Sequence, residues 1–336
     1  MSELAGKGGL AMDRMVHLID VPGQAARQIK ILADADRAML EAYLRGVNGY
    51  LTERANELPL PLRSNPPPPW TLEELVGVQI FSSWGSTVNW REELLSQSLI
   101  DHLGVDQAAE ISQLTVNADD PDHARAASDY AYQLNGLQLS YSIDSVFPAP
   151  DAIGSNCWVT GSSRSAGGLP IVASDPHLDS RRLPGFWHPI GLITPEWRAV
   201  GGAVAGGAGI GIGRTNSIAW GITNGYGDMV DLFIETQDPE NPNNYLQGDE
   251  SIPFATRTVE LKVKDGGAEG GFRIEILEIR ETRRGPIVSD HGMSIASGKL
   301  LSLRWAVPEF YNDVLTTRGL LLSLSLIHIS EPTRPY

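Results

Sequence analysis

The sequence predicts an α+β fold, with helices first and strands afterwards rather than an alternation of the two. Three observations carry this reading. Apolar residues recur at three- and four-residue spacing in the first hundred positions and at two-residue spacing after Ser155. Thirty-five glycines and 22 prolines call for many turns. With 42% hydrophobic and 20% charged residues, the chain has the composition of a globular protein with a sizeable core.

Taken in order, Leu40, Leu44, Val47 and Leu51, flanked by Tyr43 and Tyr50, predict a helix starting near Asp36. Pro59 to Pro69 holds six prolines, so a linker is expected there, neither helix nor central strand. Thr71 and Glu74 form a capping box that opens a second helix. Asn89, with Glu92 at the reciprocal position, caps a third, with Leu94, Leu95, Leu99 and Leu103 apolar and Gly104 as the stop. A polar stretch from Asp119 to Asp129 leads to Pro148, Pro150 and Gly154. Beyond it the signals are those of strands. Cys157 to Thr160 and Leu169 to Ala173 read as one hairpin, and Ile210 to Ile212 with Ile218 to Trp220 as another. Val259, Leu261 and Val263, then Ile274, Ile276 and Ile279, continue the pattern. The domain reading is therefore a helical segment over 1–118, a spacer over 119–154, a strand-rich segment over 155–322 and a tail over 323–336.

The net charge of −15 and pI of about 4.9 argue against a nucleic-acid partner, which needs clustered Lys and Arg. The acidic excess suits dispersal in water or a cation site. Cys157 is the one cysteine, so no intrachain disulfide forms, and the count leaves the compartment open. No run approaches the roughly 18 apolar residues of a membrane span; Ala199 to Gly213 is short and Gly-rich. Glu3, Lys7, Asp13 and Arg14 place charges where a signal peptide would be apolar.

Chemistry gathers at Gly154-Ser155-Asn156-Cys157-Trp158. A serine hydroxyl needs a base to become a nucleophile. No Gly-x-Ser-x-Gly elbow surrounds this one. Cutting the chain before Ser155 would supply a base in its own α-amine, whose pKa of about 7.7–8.0 suits work near neutrality. Gly154 on the other side of the cut leaves room for attack. By contrast, the Gly201–Gly213 run lacks the strand–helix context of a dinucleotide loop and reads as a strand pair with a backbone role. Cys157 reads as a small buried apolar residue and Trp158 as core.

Four motifs follow one another: Gly154-Ser-Asn-Cys-Trp-Val159, Ser174-Asp-Pro-His-Leu178, Ile218-Ala-Trp-Gly-Ile-Thr-Asn224-Gly and Asp228-Met-Val-Asp231. With Leu44-Arg-Gly-Val47-Asn-Gly-Tyr-Leu51 upstream, and Arg283-Arg-Gly-Pro-Ile287 and Leu303-Arg-Trp305 downstream, they resemble the penicillin amidase family. That family includes penicillin, cephalosporin and acyl-homoserine-lactone acylases. The resemblance implies the αββα sandwich of N-terminal-nucleophile hydrolases and an acylase that cleaves an N-acyl amide through an acyl-enzyme. It implies that the precursor cuts itself between Gly154 and Ser155 into α and β chains, with Ser155 the nucleophile. His177 would orient the serine amine or hydroxyl, and the main-chain N–H of Asn224 would donate to the oxyanion. The family's second oxyanion donor, an Asn side chain, lies further along than residue 336. Leu178 would line the acyl pocket and tilt it toward aliphatic chains. Asp228, Asp231 and the Val230 carbonyl would hold a structural Ca²⁺, with a further ligand from the segment 89–93. No organic cofactor, nucleic acid or membrane is implied, and the location is periplasmic or secreted.

The ends read differently from the family. Met1 to Ala5 resembles the middle of its first helical region, and Leu324 to Arg334 resembles the translation of a sequencing-library transposon adapter. The expectation is a fragment truncated at both ends that does not turn over substrate by itself. The competing reading is an inactive relative that persists as a calcium-stabilised globule.

Overall fold

The computed structural model describes residues 1–64, 66–90, 93, 94, 99, 103, 155–178, 185–225, 228–292 and 300–306. The spacer, Gly154 and the tail therefore lie outside the described residues. The helices are α1 (Ser2–Ala5), α2 (Lys7–Leu18), α3 (Val21–Ile31), α4 (Asp34–Glu53), α5 (Leu60–Ser64) and α6 (Leu72–Thr87). Trp90, Glu93, Leu94, Leu99 and Leu103 are helical too. The strands are β1 (Ser155–Thr160), β2 (Ile171–Pro176), β3 (Trp187–Ile193), β4 (Arg198–Val204), β5 (Ile212–Thr215), β6 (Ala219–Trp220), β7 (Val230–Gln237), β8 (Asn244–Gln247), β9 (Glu250–Pro253), β10 (Ala255–Lys264), β11 (Phe272–Thr282), β12 (Gly285–Pro286) and β13 (Leu300–Trp305). Every pairing among them is antiparallel. The fold is mixed helix and sheet.

The chain divides into two compact units, and neither is contiguous in sequence. One holds α3 to α6 up to Ser86 together with β1 to β6. Here α4 opens with Asp34 and Asp36 in its first turn, where carboxylates complement the helix dipole. It buries Leu40, while Leu44, Val47 and Leu51 are half-buried. The capping box of α6 is complete: Thr71 N–H donates to Glu74 Oε2 at 2.7 Å, and Glu74 N–H donates to Thr71 Oγ1 at 3.2 Å. That start directs Leu75, Val76, Ile80 and Trp84 inward.

The proline segment departs from expectation, because α5 forms within it. Pro59 O accepts from Leu62 N–H and Arg63 N–H at 2.9 and 3.0 Å. Pro59 precedes the helix and Pro61 enters only its first turn, where N–H groups have no helical partner in any case, while Pro66 to Pro69 follow its end. Asn48 then fixes the far end of the segment: its amide donates to Trp70 O at 2.9 Å and accepts from Trp70 N–H at 2.7 Å.

In the same unit β3-β4-β5-β6 form one sheet and β1-β2 a separate ribbon. Ala199 and Ile210 form the sheet's buried cluster, against which Met39 of α4, Ile190, Trp197 and Trp220 pack. The glycine run is a close backbone approach. A Cβ at Gly201 would stand 2.0 Å from Ile212 O, and one at Gly213 would stand 2.3 Å from Val200 O. Cys157 and Trp158 correct the sequence reading, since both are exposed. They are consecutive on β1 and so point to opposite faces of a ribbon whose one described pairing is β1–β2, and neither face is fully covered.

The other unit gathers α1, α2, the described residues from Thr87 to Leu103, and β7 to β13. The β10–β11 hairpin buries Leu261, Val263, Leu277 and Ile279. Ile274 and Ile276 are exposed, contrary to the alternation read from sequence, because the buried face of β11 holds the odd-numbered positions. Helix α2 is tied to this hairpin by Arg257, which donates to His17 O at 2.8 Å. Glu235 of β7 is buried and accepts from Thr282 Oγ1 at 2.9 Å, Ser302 Oγ at 2.7 Å and Arg284 Nη1 at 2.8 Å. This satisfied carboxylate binds three strands of the unit together.

Candidate active site

Ser155 is the first residue of β1, and the antiparallel register sets it opposite Pro176, with Asn156 opposite Asp175. His177 follows β2 directly, so ribbon geometry alone makes it a neighbour of Ser155. The main-chain N–H of His177 donates to Ser155 Oγ at 3.3 Å. The imidazole is turned to other partners: Nε2 lies 3.0 Å from Asp175 Oδ2 and 3.3 Å from Asn156 Nδ2. With Nε2 protonated the ring donates to Asp175; in the other tautomer it accepts from Asn156. Ser155 and His177 are thus brought together through main chain, while the ring faces two residues to which the sequence reading gave no role.

Leu178 is exposed, and its N–H donates to Pro176 O at 3.1 Å. Gly221 lies against the underside of the ribbon, where a Cβ would come within 2.8 Å of Cys157 Sγ and 2.6 Å of Ser174 Cβ. Three residues on, Asn224 uses its side chain as an anchor, Nδ2 donating to Ser86 O at 3.0 Å. That bond ties the segment after β6 to the last turn of α6. The unit also holds a cavity of about 190 Å³ walled by Val78, Gln79 and Ser82 of α6, by Phe186 and by the turn Val204–Gly209.

A second constellation lies in the other unit. One carboxylate oxygen from each of Glu93, Asp228 and Asp231 falls within 4.8 Å of the others. Asp231 follows Val230 at the start of β7, and the β13 pairing sets Trp305 opposite Val230. Trp305 Nε1 donates to Thr87 Oγ1 at 3.1 Å, which holds the approach to Glu93 against the sheet. Asn89 Nδ2 donates to Asp228 Oδ1 at 2.7 Å, while Asn89 Oδ1 is buried without a hydrogen-bond partner. Three carboxylates at this separation repel one another unless a cation or protons compensate. An all-oxygen set with an orphaned acceptor beside it fits a hard divalent cation such as Ca²⁺. Glu93 falls in the segment from which a further ligand was expected, and the motifs did not single it out.

Comparison with known proteins agrees with the motifs. The family model described as penicillin amidase matches residues 1–326. An acyl-homoserine lactone acylase, QuiP, of Pseudomonas aeruginosa is 27% identical over 86% of this chain and 34% of its own length. The penicillin acylase 2 proenzyme of Pseudomonas sp. strain SE83 is 26% identical over 94% of this chain and 41% of its own length. A solved thermostable penicillin G acylase from Alcaligenes faecalis aligns with 46% of this chain and 25% of that one, at 20% identity and a TM-score of 0.34. The chain thus spans roughly a third to two fifths of the length of these curated relatives. Motifs in order and a family match across nearly the whole sequence lead to one statement: the chain belongs to the penicillin amidase family.

Proposed function

We propose that this protein is an amide hydrolase that cleaves an N-acyl substrate through an acyl-enzyme on Ser155, exposed as a chain terminus by self-cleavage. The observation that carries it is the position of Ser155 at the very start of β1, its Oγ held by the His177 N–H. In maturation the hydroxyl attacks the Gly154 carbonyl, the C–N bond breaks as the ester forms and frees the α-amine, and water hydrolyses the ester to release the Ser155 hydroxyl and the Gly154 carboxylate. In turnover the same hydroxyl attacks the acyl carbonyl while the α-amine takes its proton and passes it to the leaving amine. Water then releases the acid. The Asn224 main-chain N–H is the proposed oxyanion donor, and the Asn224–Ser86 bond supports it by fixing that segment. His177, its Nε2 facing Asp175 and Asn156 and bonded to one or the other according to tautomer, orients the site. Leu178 contributes an aliphatic wall to the acyl pocket.

Glu93, Asp228, Asp231 and the Val230 carbonyl are the proposed Ca²⁺ ligands. The ion would supply charge compensation among the carboxylates and join residues from both sides of the 154–155 bond. The αββα sandwich and a periplasmic or secreted location complete the proposal. The names of the relatives suggest acyl-homoserine lactones or β-lactam amides as substrates.

Intact-mass measurement and N-terminal sequencing of the expressed precursor test this. A chain beginning Ser-Asn-Cys-Trp is expected, and Ser155→Ala should abolish both cleavage and hydrolysis of a chromogenic N-acyl amide. An active enzyme with an unbroken 154–155 bond would overturn it.

A further inference from the structure

Nε2 of His177 has two neighbours that ask opposite things of it. Asp175 Oδ2, 3.0 Å away, needs a proton on Nε2, whereas Asn156 Nδ2, 3.3 Å away, needs a lone pair there. The first contact is shorter and involves a carboxylate; the second is long and neutral. Charge-assisted hydrogen bonds are roughly twice as strong as neutral ones, so the carboxylate decides where the ring proton sits. Nδ1 is then left as an acceptor.

We propose that Asp175 is a positioning residue that holds His177 in its Nε2–H tautomer, so that Nδ1 accepts a hydrogen bond from the Ser155 α-amine. This rests on the reading of Ser155 as the nucleophile and of its amine as the base. The ribbon register supplies the placement. It pairs Asn156 with Asp175 and Ser155 with Pro176, so His177 comes next in line, alongside the Ser155 α-nitrogen. The His177 main-chain N–H, 3.3 Å from Ser155 Oγ, reflects the same proximity, and Nδ1 is the ring nitrogen nearer that main chain.

The tautomer matters because the amine has a single lone pair. With Nδ1 unprotonated, an amine N–H donates to the ring and the lone pair stays free to take the Oγ proton. The ammonium so formed keeps the bond to Nδ1 until it passes the proton to the leaving amine. With Nδ1 protonated, the ring donates into that lone pair and competes with the hydroxyl. Asp175 and His177 are both exposed, so their pairing adds little to stability. It has only to bias a tautomer. Asn156 and Asp175 also face each other across the ribbon, so exchanging the two residues preserves shape and moves the acceptor to the other strand.

The test reads the tautomer by ¹⁵N NMR of histidine-labelled protein, at a pH where the ring is neutral, with the His177 signals assigned by their loss in His177→Ala. Steady-state hydrolysis of a chromogenic N-acyl amide is measured alongside. Tautomers are read in the Ser155→Ala precursor as well, so they do not depend on maturation of each variant. The unaltered protein should carry its proton on Nε2. Asp175→Asn should move it to Nδ1 and lower kcat about tenfold with KM unchanged, less than the roughly 10⁴ that the wrong tautomer costs in a buried triad. Combining Asp175→Asn with Asn156→Asp should restore both the tautomer and kcat. An Asp175→Asn enzyme as fast as the unaltered one overturns the proposal. So does a loss that the exchange fails to recover, which would assign Asp175 to the folding of the ribbon. An active enzyme with its proton on Nδ1 sinks this proposal alone, whereas an unaltered protein that neither cuts itself nor hydrolyses the amide sinks the nucleophile reading beneath it.

Discussion

At Ser155, the proposed nucleophile, the side-chain oxygen is held by a main-chain donor, which any residue but proline at 177 could supply. The imidazole is spent on Asp175 and Asn156 instead. His177→Ala should therefore leave folding intact but slow acylation by up to about a hundredfold, the cost of a reactive group displaced by a fraction of its length. Stopped-flow release of the first product measures this, and an unaltered burst rate would show that the ring has no part in orienting the site. That Ser155 and His177 would be neighbours was legible from motifs. Asp175 and Asn156 were not, because their partnership depends on cross-strand register. Glu93 was hidden for a related reason, since carboxylates from distant segments meet only after folding.

Helix starts were the most legible elements, because capping is local: the Thr71–Glu74 box could be read from four residues and is present atom for atom. Thr71→Ala should lower stability by about 1 kcal/mol, measured by urea unfolding. The β4–β5 pair is the opposite case. Its glycines predicted strands, yet not their reason, which is that the backbones approach so closely that a methyl at Gly201 would overlap Ile212 O. Gly201→Ala should cost about 3 kcal/mol or more in the same experiment, since the strands must part. A cost below that of Thr71→Ala would mean the sheet is looser there than its register indicates. Helix α5 escaped notice because proline was weighed by residue type, whereas its effect depends on position within the turn.

Across the molecule, the interleaving of two units from non-contiguous segments was invisible in sequence, because no local pattern records which distant strand a helix will cover. The unit containing α2 and β10 carries two histidines held below the ordinary value of about 6.5. Burial is the main cause at His17, where Arg257 adds to it and Asp13 and Asp20 oppose it. Burial also dominates at His291, against the opposing charge of Asp290. At Asp13 burial works against the charge, but hydrogen bonds from the Met1 ammonium and from Ser2 outweigh it and hold the carboxyl below its usual range. All three groups take up protons more readily unfolded than folded. The unit is therefore expected to be fully stable above about pH 6.5, to weaken as the histidines' range is crossed, and to weaken again below about pH 4. Hydrogen exchange in peptides from 1–20 and 255–292 should accelerate from pH 7 to 5; protection that stays flat across this range would contradict it. Finally, the two-stranded β1–β2 ribbon leaves Cys157, the one cysteine of the protein, exposed two residues from Ser155 on the face that Gly221 approaches, and alternation along a strand directs both side chains to that face. A maleimide fluorophore would thus attach at a single known place with no engineering, and a change in its emission on adding an N-acyl amide would report the acyl group that the proposed mechanism puts next door.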